Sequence, residues 1–250
     1  MADGPWDGDL SIREPPKVLI PVRILEGQTL PASLVTFLVP SEVVILGYHV
    51  LPEQTPTEQA SMQYEERARD AVDDIVDVFH EAGREVETRV VFTHDRDQTV
   101  ERVATEVGAT AVLLPNPTGE ISDVLVALRG VVDTDRLADL VATLLGAGTG
   151  RVTVWGLAGD GPFDAEAAVA DARATMVERG LSADRIEAET TPSERPVADI
   201  VARTNEFDVV VMGEGEQGLL SVLLGDDAER VAEGAVAPVL VVREPPAEQA

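Results

Sequence analysis

The chain states one pattern twice. "VLIPVR" at 18–23 returns as "VLVALR" at 124–129, taking Val18 to Val124, 106 residues on. "TAVLLPN" at 110–116 returns as "DVVVMGE" at 208–214. A period this long marks two copies of one structural unit. Within each copy, short β-branched runs bounded by turn residues alternate with helical patterns. The first copy reads as strands at 17–24, 42–50, 85–92 and 110–116, with helices at 30–40, 57–83 and 97–109. The second reads as strands at 123–130, 151–159, 185–193, 208–214 and 238–244, with helices at 133–146, 164–180, 195–207 and 221–235. Asp133 is the expected N-cap of its helix, and Gly83, Gly108 and Gly180 end theirs. Strands alternating with helices give parallel sheets covered on both faces. The fold class expected is α/β: two fused, doubly wound, Rossmann-like domains, 17–120 and 121–245, behind a flexible tail at 1–16. The strand order expected in each is 3-2-1-4-5. The first copy stops after its fourth strand and lacks the last helix and the fifth strand.

Charge narrows the partners. There are 46 acidic residues against 19 Lys and Arg, a formal net charge of −27, and Lys17 is the one lysine. Binding to nucleic acid or to an anionic bilayer by charge is excluded at this balance. The acids are spread over patterned helices such as "EERARDAVDDIVDVFHEAG" rather than gathered in blocks. Acid excess, scarce lysine and 4% aromatics together point to a halophilic, acidic proteome, where salt screens self-repulsion. The chain has no cysteine, so thiol nucleophiles and Cys-ligated metals are excluded and an intracellular, cytoplasmic setting is expected. No apolar run is long enough to span a bilayer, so no direct membrane insertion is expected, and "MADGPWDGDLSIREPP" does not read as a signal peptide.

The run "DVVVMGEGEQGLLSVLLGDDAERVAEGAVAPVLVVR" (208–243) resembles the C-terminal signature of the universal stress proteins, with "AERVAEGAVAPVLVVR" (228–243) its most specific part. "VLVALRG" before a helix and "GYHVLPE" (47–53) at a strand end fit the same family. The resemblance covers a tandem of two domains. It implies an adenine-nucleotide-hydrolase-like sheet, an adenine-nucleotide crevice at the strand C-termini in some members, and pairing of domains about a pseudo-dyad.

In nucleotide-binding members the loop resembles Gly-x-x-Gly, nine residues, then Gly-Ser or Gly-Thr. Glycines let backbone N–H groups approach phosphate, and the hydroxyl donates once more at a helix N-terminus. Here Gly215, nine residues and Gly225 keep one spacing, but Gly213-x-Gly215 is one residue short, and Asp226 stands at the hydroxyl position. A carboxylate about 4 Å from a phosphate charge costs about 1–4 kcal/mol for dielectrics of 80 to 20. Mg²⁺ could bridge the two. Family members also carry an Asp just after the first strand, facing base and ribose; the matching positions are Arg23 and Arg129. A guanidinium only donates hydrogen bonds, so it cannot accept from a ribose hydroxyl. Arg129 could hold an anionic ligand, or pair with Asp133, Asp135 or Asp226. The candidate nucleotide site is therefore Gly213, Gly215, Gly225, Asp226 and Arg129, in degenerate form; no cofactor is certain, and ATP or another adenine nucleotide with Mg is the one it could take.

No nucleophile elbow or Ser/His/Asp order is present. His94, in "THDRD", is a weak metal candidate, His80 lies among helix acids, and His49 reads as packing or crevice lining. "GAGTG" (146–150) follows a helix and reads as a C-cap and turn. No catalytic residue and no metal site is expected. The function expected is a non-enzymatic, cytoplasmic stress-response or regulatory module. The alternatives are an ATP-binding switch on the second domain's loop and a soluble regulatory partner of a membrane transporter. Unpaired strand edges invite association. The edge at 110–116 is therefore expected to be covered by the 117–123 linker, by "PVLVVRE" (238–244), or by a second chain, giving an intrachain pseudo-dimer or a homodimer.

Overall fold

The computed structural model describes residues 10–146, 148–159, 161–213 and 236–244. Its nine strands form one sheet. In chain order the elements are β1 (Lys17–Arg23), α1 (Ala32–Leu38), β2 (Glu42–Val50), α2 (Thr57–Glu81), β3 (Glu87–Thr93), α3 (Arg96–Glu106) and β4 (Ala111–Leu114). A second series follows: β5 (Asp123–Leu128), α4 (Thr134–Gly146), β6 (Arg151–Ala158), α5 (Ala165–Glu178), β7 (Ile186–Pro192), α6 (Pro196–Arg203), β8 (Val209–Gly213) and β9 (Val239–Val242).

The strand order is β3-β2-β1-β4-β9-β8-β5-β6-β7. The second arm, β7-β6-β5-β8-β9, has the expected order 3-2-1-4-5. The first arm has the same order through its fourth strand. The fifth place beside β4 is filled by β9, so one strand closes both arms. β9 runs parallel to β8, with Val210 opposite Val239, and antiparallel to β4, with Leu114 opposite Val239. Every other pairing is parallel. Of the three covers open to the 110–116 edge, the molecule uses 238–244. Arg243 extends the bridge: its N–H donates to the Thr110 carbonyl at 2.9 Å, and its guanidinium pairs with Glu101 on α3. Arg136 on α4 donates to the Arg243 carbonyl at 3.4 Å, so both arms hold the same residue.

Side chains alternate across the strands. One face carries Val18, Ile20, Val22, Val124, Val126, Leu128, Leu240 and Val242 into a core with α1, α2, α4 and α5. The other carries Leu19, Leu46, Val112, Leu125, Val210 and Val241 toward α3 and α6. Continuous apolar runs were the signature of strands buried on both faces, and that is where they lie. Asp133 caps α4 as expected, its Oδ1 accepting from the Arg136 N–H at 3.0 Å.

Two glycines recur at one register. Gly47 on β2 lies opposite Val22, and Gly156 on β6 lies opposite Leu128, the positions the repeat equates. A Cβ on Gly47 would meet Val72 Cγ2 at 2.6 Å; one on Gly156 would meet Val169 Cγ2 at 2.8 Å and the Ala165 carbonyl oxygen at 2.9 Å. Each glycine lets the following crossover helix press onto the sheet.

Residues 10–16, expected to belong to a flexible tail, are bonded to the second arm. The Ser11 N–H donates to the Arg179 carbonyl at 3.0 Å, and the N–H groups of Arg13 and Glu14 donate to the two oxygens of Asp139 at 3.2 and 3.0 Å. The composition of this stretch resembles a tail, but a buried carboxylate takes up its backbone donors.

Candidate functional site

Doubly wound sheets bind ligands beyond the strand C-termini, where the strand order reverses. In this molecule the reversals lie between β1 and β4 and between β5 and β8. Arg23 ends β1 and Arg129 follows β5, so the repeat puts one arginine at each crevice. Their surroundings differ.

In the first arm, Arg23 Nε donates to the Tyr48 hydroxyl at 3.1 Å, and Nη1 reaches Glu26 at 3.4 Å. The bond to Tyr48, with Glu26 beside it, lifts the guanidinium above its ordinary pKa despite some burial. Arg96 lies 5.6 Å over the Tyr48 ring, and His49 packs against Tyr64 and Phe92 with centroids 6.4 Å away in each case. Arg96 Nε is itself enclosed without a hydrogen-bond partner.

In the second arm, Arg129 is half-buried, and its Nε is enclosed without a hydrogen-bond partner. Burial alone pulls its pKa below the ordinary arginine value. The anticipated partners are engaged elsewhere. Asp133 caps α4, and Asp135 binds Arg13 and Arg179. Arg129 makes no ion pair among the described residues, and Asp226 lies outside them. The pairing expected with Asp133 or Asp135 is therefore corrected: helix capping and the Arg179 network claim those carboxylates first.

Arg129 instead lines a cavity of about 530 Å³. Leu157 of β6, Gly159, Gly161 and Phe163 of the β6–α5 loop, Ser193 and Glu194 after β7, and Pro196 at the start of α6 complete the wall. The size lies within the range of small-molecule sites, and three of the side chains are apolar. The Ser193 hydroxyl donates to Asp199 at 2.5 Å and accepts from the Arg195 N–H at 3.2 Å. Glu194 is exposed and does not pair with Arg129.

Gly213 ends β8. A Cβ there would meet Val132 Cγ2 at 2.8 Å and Val132 Cβ at 2.9 Å. The close approach this glycine permits is thus to the 129–133 loop of its own chain, at the point where the strand order reverses. Gly215, Gly225 and Asp226, with the helix expected at 221–235, lie outside the described residues.

The other candidates resolve locally. The His94 Nδ1 lies 3.3 Å from the Leu51 carbonyl oxygen. Among the described residues no three His, Asp or Glu side chains gather into a metal-binding group, and no helix is long and apolar enough to cross a membrane. Sequence reasoning found Arg129 from the family resemblance, at the position of the family's Asp after the first strand. It missed Leu157, Phe163, Ser193 and Glu194, which nothing but the sheet brings together.

A sequence model of the universal stress protein family matches residues 120–243. A universal stress protein from Archaeoglobus fulgidus has a similar structure at 15% identity and a TM-score of 0.59, with 91% of this chain and 98% of that one covered. A protein from Pseudomonas aeruginosa, described as a universal stress protein, aligns at 16% identity over 93% and 94% of the two chains, with a TM-score of 0.49. The cytoplasmic domain of a prokaryotic cation chloride cotransporter aligns at 12% identity over 91% and 95%, with a TM-score of 0.47. At these identities the first likeness speaks for the fold alone, and the other two carry no argument.

Proposed function

Because the chain belongs, through residues 120–243, to the universal stress protein family, we propose that it is a non-enzymatic, cytoplasmic stress-response module that responds to a ligand in the crevice of its second arm. One observation carries the reading: Arg129 has a buried, unpartnered Nε beside a cavity, whereas its repeat mate Arg23 is bonded to Tyr48 and Glu26. A satisfied arginine is structure. An arginine without an ion pair at a cavity wall has donors to offer an anionic ligand.

The ligand is not ATP bound in the family's manner. Arg129 stands where a ribose would need an acceptor, and the shortened Gly213–Gly215 spacing and Asp226 weaken the phosphate loop. Hydrolysis is also disfavoured, since the one lining hydroxyl, Ser193, is tied to Asp199 and Arg195. Equilibrium dialysis with labelled ATP and Mg²⁺ in molar KCl tests this. No saturable retention is expected for the native chain. Arg129→Asp with Asp226→Ser restores the family's acceptor and hydroxyl and should bring binding back. Stoichiometric ATP retention by the native chain would sink the reading and favour the nucleotide-switch alternative.

A further inference from the structure

We propose that the Arg129 cavity takes a small molecule carrying an oxyanion, a carboxylate or a phosphate, and that the anionic group sits on Arg129, where nucleotide-binding relatives place base and ribose. The inference rests on the reading of the second arm's crevice as a ligand site, and it names the chemistry of that site.

Four observations converge on it. Arg129 is the one cation among the lining residues. It makes no ion pair with any described residue, and its Nε is enclosed without an acceptor. A guanidinium presents paired N–H donors in a plane, which matches two oxygens of a carboxylate or phosphate. Leu157, Phe163 and Pro196 on the same lining offer apolar contact to the body of an organic anion. Glu194 is the one acid on the lining and is exposed. Its charge opposes an anion, and water at the rim screens that opposition. The lowered pKa of Arg129 agrees with an unpaired buried cation, and an arginine starts so far above neutrality that the charge stays available to a ligand.

In the first arm Tyr48 and Glu26 already engage Arg23, while Arg96, over the Tyr48 ring, has an enclosed Nε without a partner of its own.

Calorimetric titration at constant ionic strength decides it, with inorganic phosphate and benzoate as the two probes. The expected result is saturable binding of at least one probe at one site per chain. Benzoate binding alone identifies a carboxylate with an apolar body, and phosphate binding alone identifies a phosphoryl ligand. Arg129→Met should weaken that binding roughly ten- to a hundredfold, the range for a lost charge-assisted hydrogen bond. Arg129→Lys, which keeps the charge but loses the fork, should fall between. Glu194→Gln should tighten binding, while Arg23→Met should leave it unchanged. Circular dichroism on each variant separates lost binding from lost fold, and Arg129→Lys stands in if Arg129→Met unfolds. Absence of saturable binding by either probe overturns the inference, as does binding that Arg129→Met leaves unaltered. ATP is a separate arm. ATP retention that disappears with Arg129→Met upholds the oxyanion contact while overturning the non-nucleotide reading. ATP retention indifferent to Arg129 overturns both.

Discussion

Arg179 Nε donates to Asp139 Oδ1 at 2.5 Å, and both side chains are 3% exposed. The pair is the root of a network. Asp135 binds both Arg179 and Arg13, while Asp139 also accepts from the N–H groups of Arg13 and Glu14. Through it the segment that leads into β1 of the first arm is held on α4 and α5 of the second. Buried ion pairs add little net stability over an apolar pair of the same shape, but removing one member leaves a stranded charge.

Asp139→Leu leaves Arg179 only the half-exposed Asp135 as partner and should therefore cost up to about 3–5 kcal/mol in urea unfolding. It should also release the amides of Arg13 and Glu14 to fast hydrogen exchange, since both donate to that carboxylate. Arg179→Met combined with Asp139→Leu should recover much of the stability while the amides stay unprotected. A double variant no better than the single would show that the ion pair itself, not the stranded arginine, is what matters.

The elements were legible because local signals agreed with the global fold. "EVVILGYHV" is apolar over Val43–Leu46 and is followed by the turn "LPEQ", and β2 spans Glu42–Val50 as expected. β4 was expected over 110–116 but forms over Ala111–Leu114, and Pro115 directly after it has no N–H to give a ladder. The direction of β9 against β4 was not legible. It depends on how two arms meet, and no residue of "PVLVVRE" encodes that. Arg129 could be placed at the crevice from the family resemblance, but whether it was paired depended on Asp133 and Asp135 having other partners. The recurring Gly47 and Gly156 did carry a signal, a glycine inside each second strand, which marks a close approach of backbone.

Those glycines differ in what they face. The added methyl of Gly47→Ala meets Cγ2 of Val72 and of Ile24 at 2.6 and 2.8 Å, stiff buried side chains but side chains rather than backbone. Gly156→Ala meets the Ala165 carbonyl oxygen at 2.9 Å, which moves only with α5. Overpacking a core costs about 1–3 kcal/mol. Gly156→Ala should fall at the upper end and Gly47→Ala at or below the lower end in paired urea titrations. Equal losses would mean that α5 shifts as easily as a valine rotamer.

Salt should govern folding. A net charge of −27 on 250 residues repels itself, and the repulsion is relieved when the screening length falls from about 10 Å at 0.1 M to about 3 Å at 1 M. The far-ultraviolet circular dichroism of the native fold should be lost on dialysis from molar KCl to dilute buffer and regained on return. A chain fully folded below about 0.1 M salt would remove the case for a halophilic origin.

The last expectation concerns association. Relatives are expected to pair through their fifth strands, but here β9 is bonded on both sides, to β4 and to β8, and offers no free edge. The remaining edges of the sheet are β3 and β7. β3 carries the ion-paired Glu87 and Arg89, and β7 carries Glu187, Glu189 and Pro192, the charges and proline that discourage strand addition. The chain should therefore be a monomer of 26.6 kDa by light scattering in molar KCl, across a wide range of concentration. Val241→Pro tests the cause. Val241 lies opposite Val112 on one side and Met212 on the other, and a proline there removes a ladder donor and strains a strand bonded on both sides. With β9 loosened, the apolar edges of β4 and β8 are uncovered together, and soluble oligomers or aggregates should replace the monomer. If the native chain is a dimer whose β3 or β7 amides are protected from exchange only at high concentration, the outer edges do recruit a partner. If Val241→Pro stays a stable monomer, β9 is not what closes the two arms.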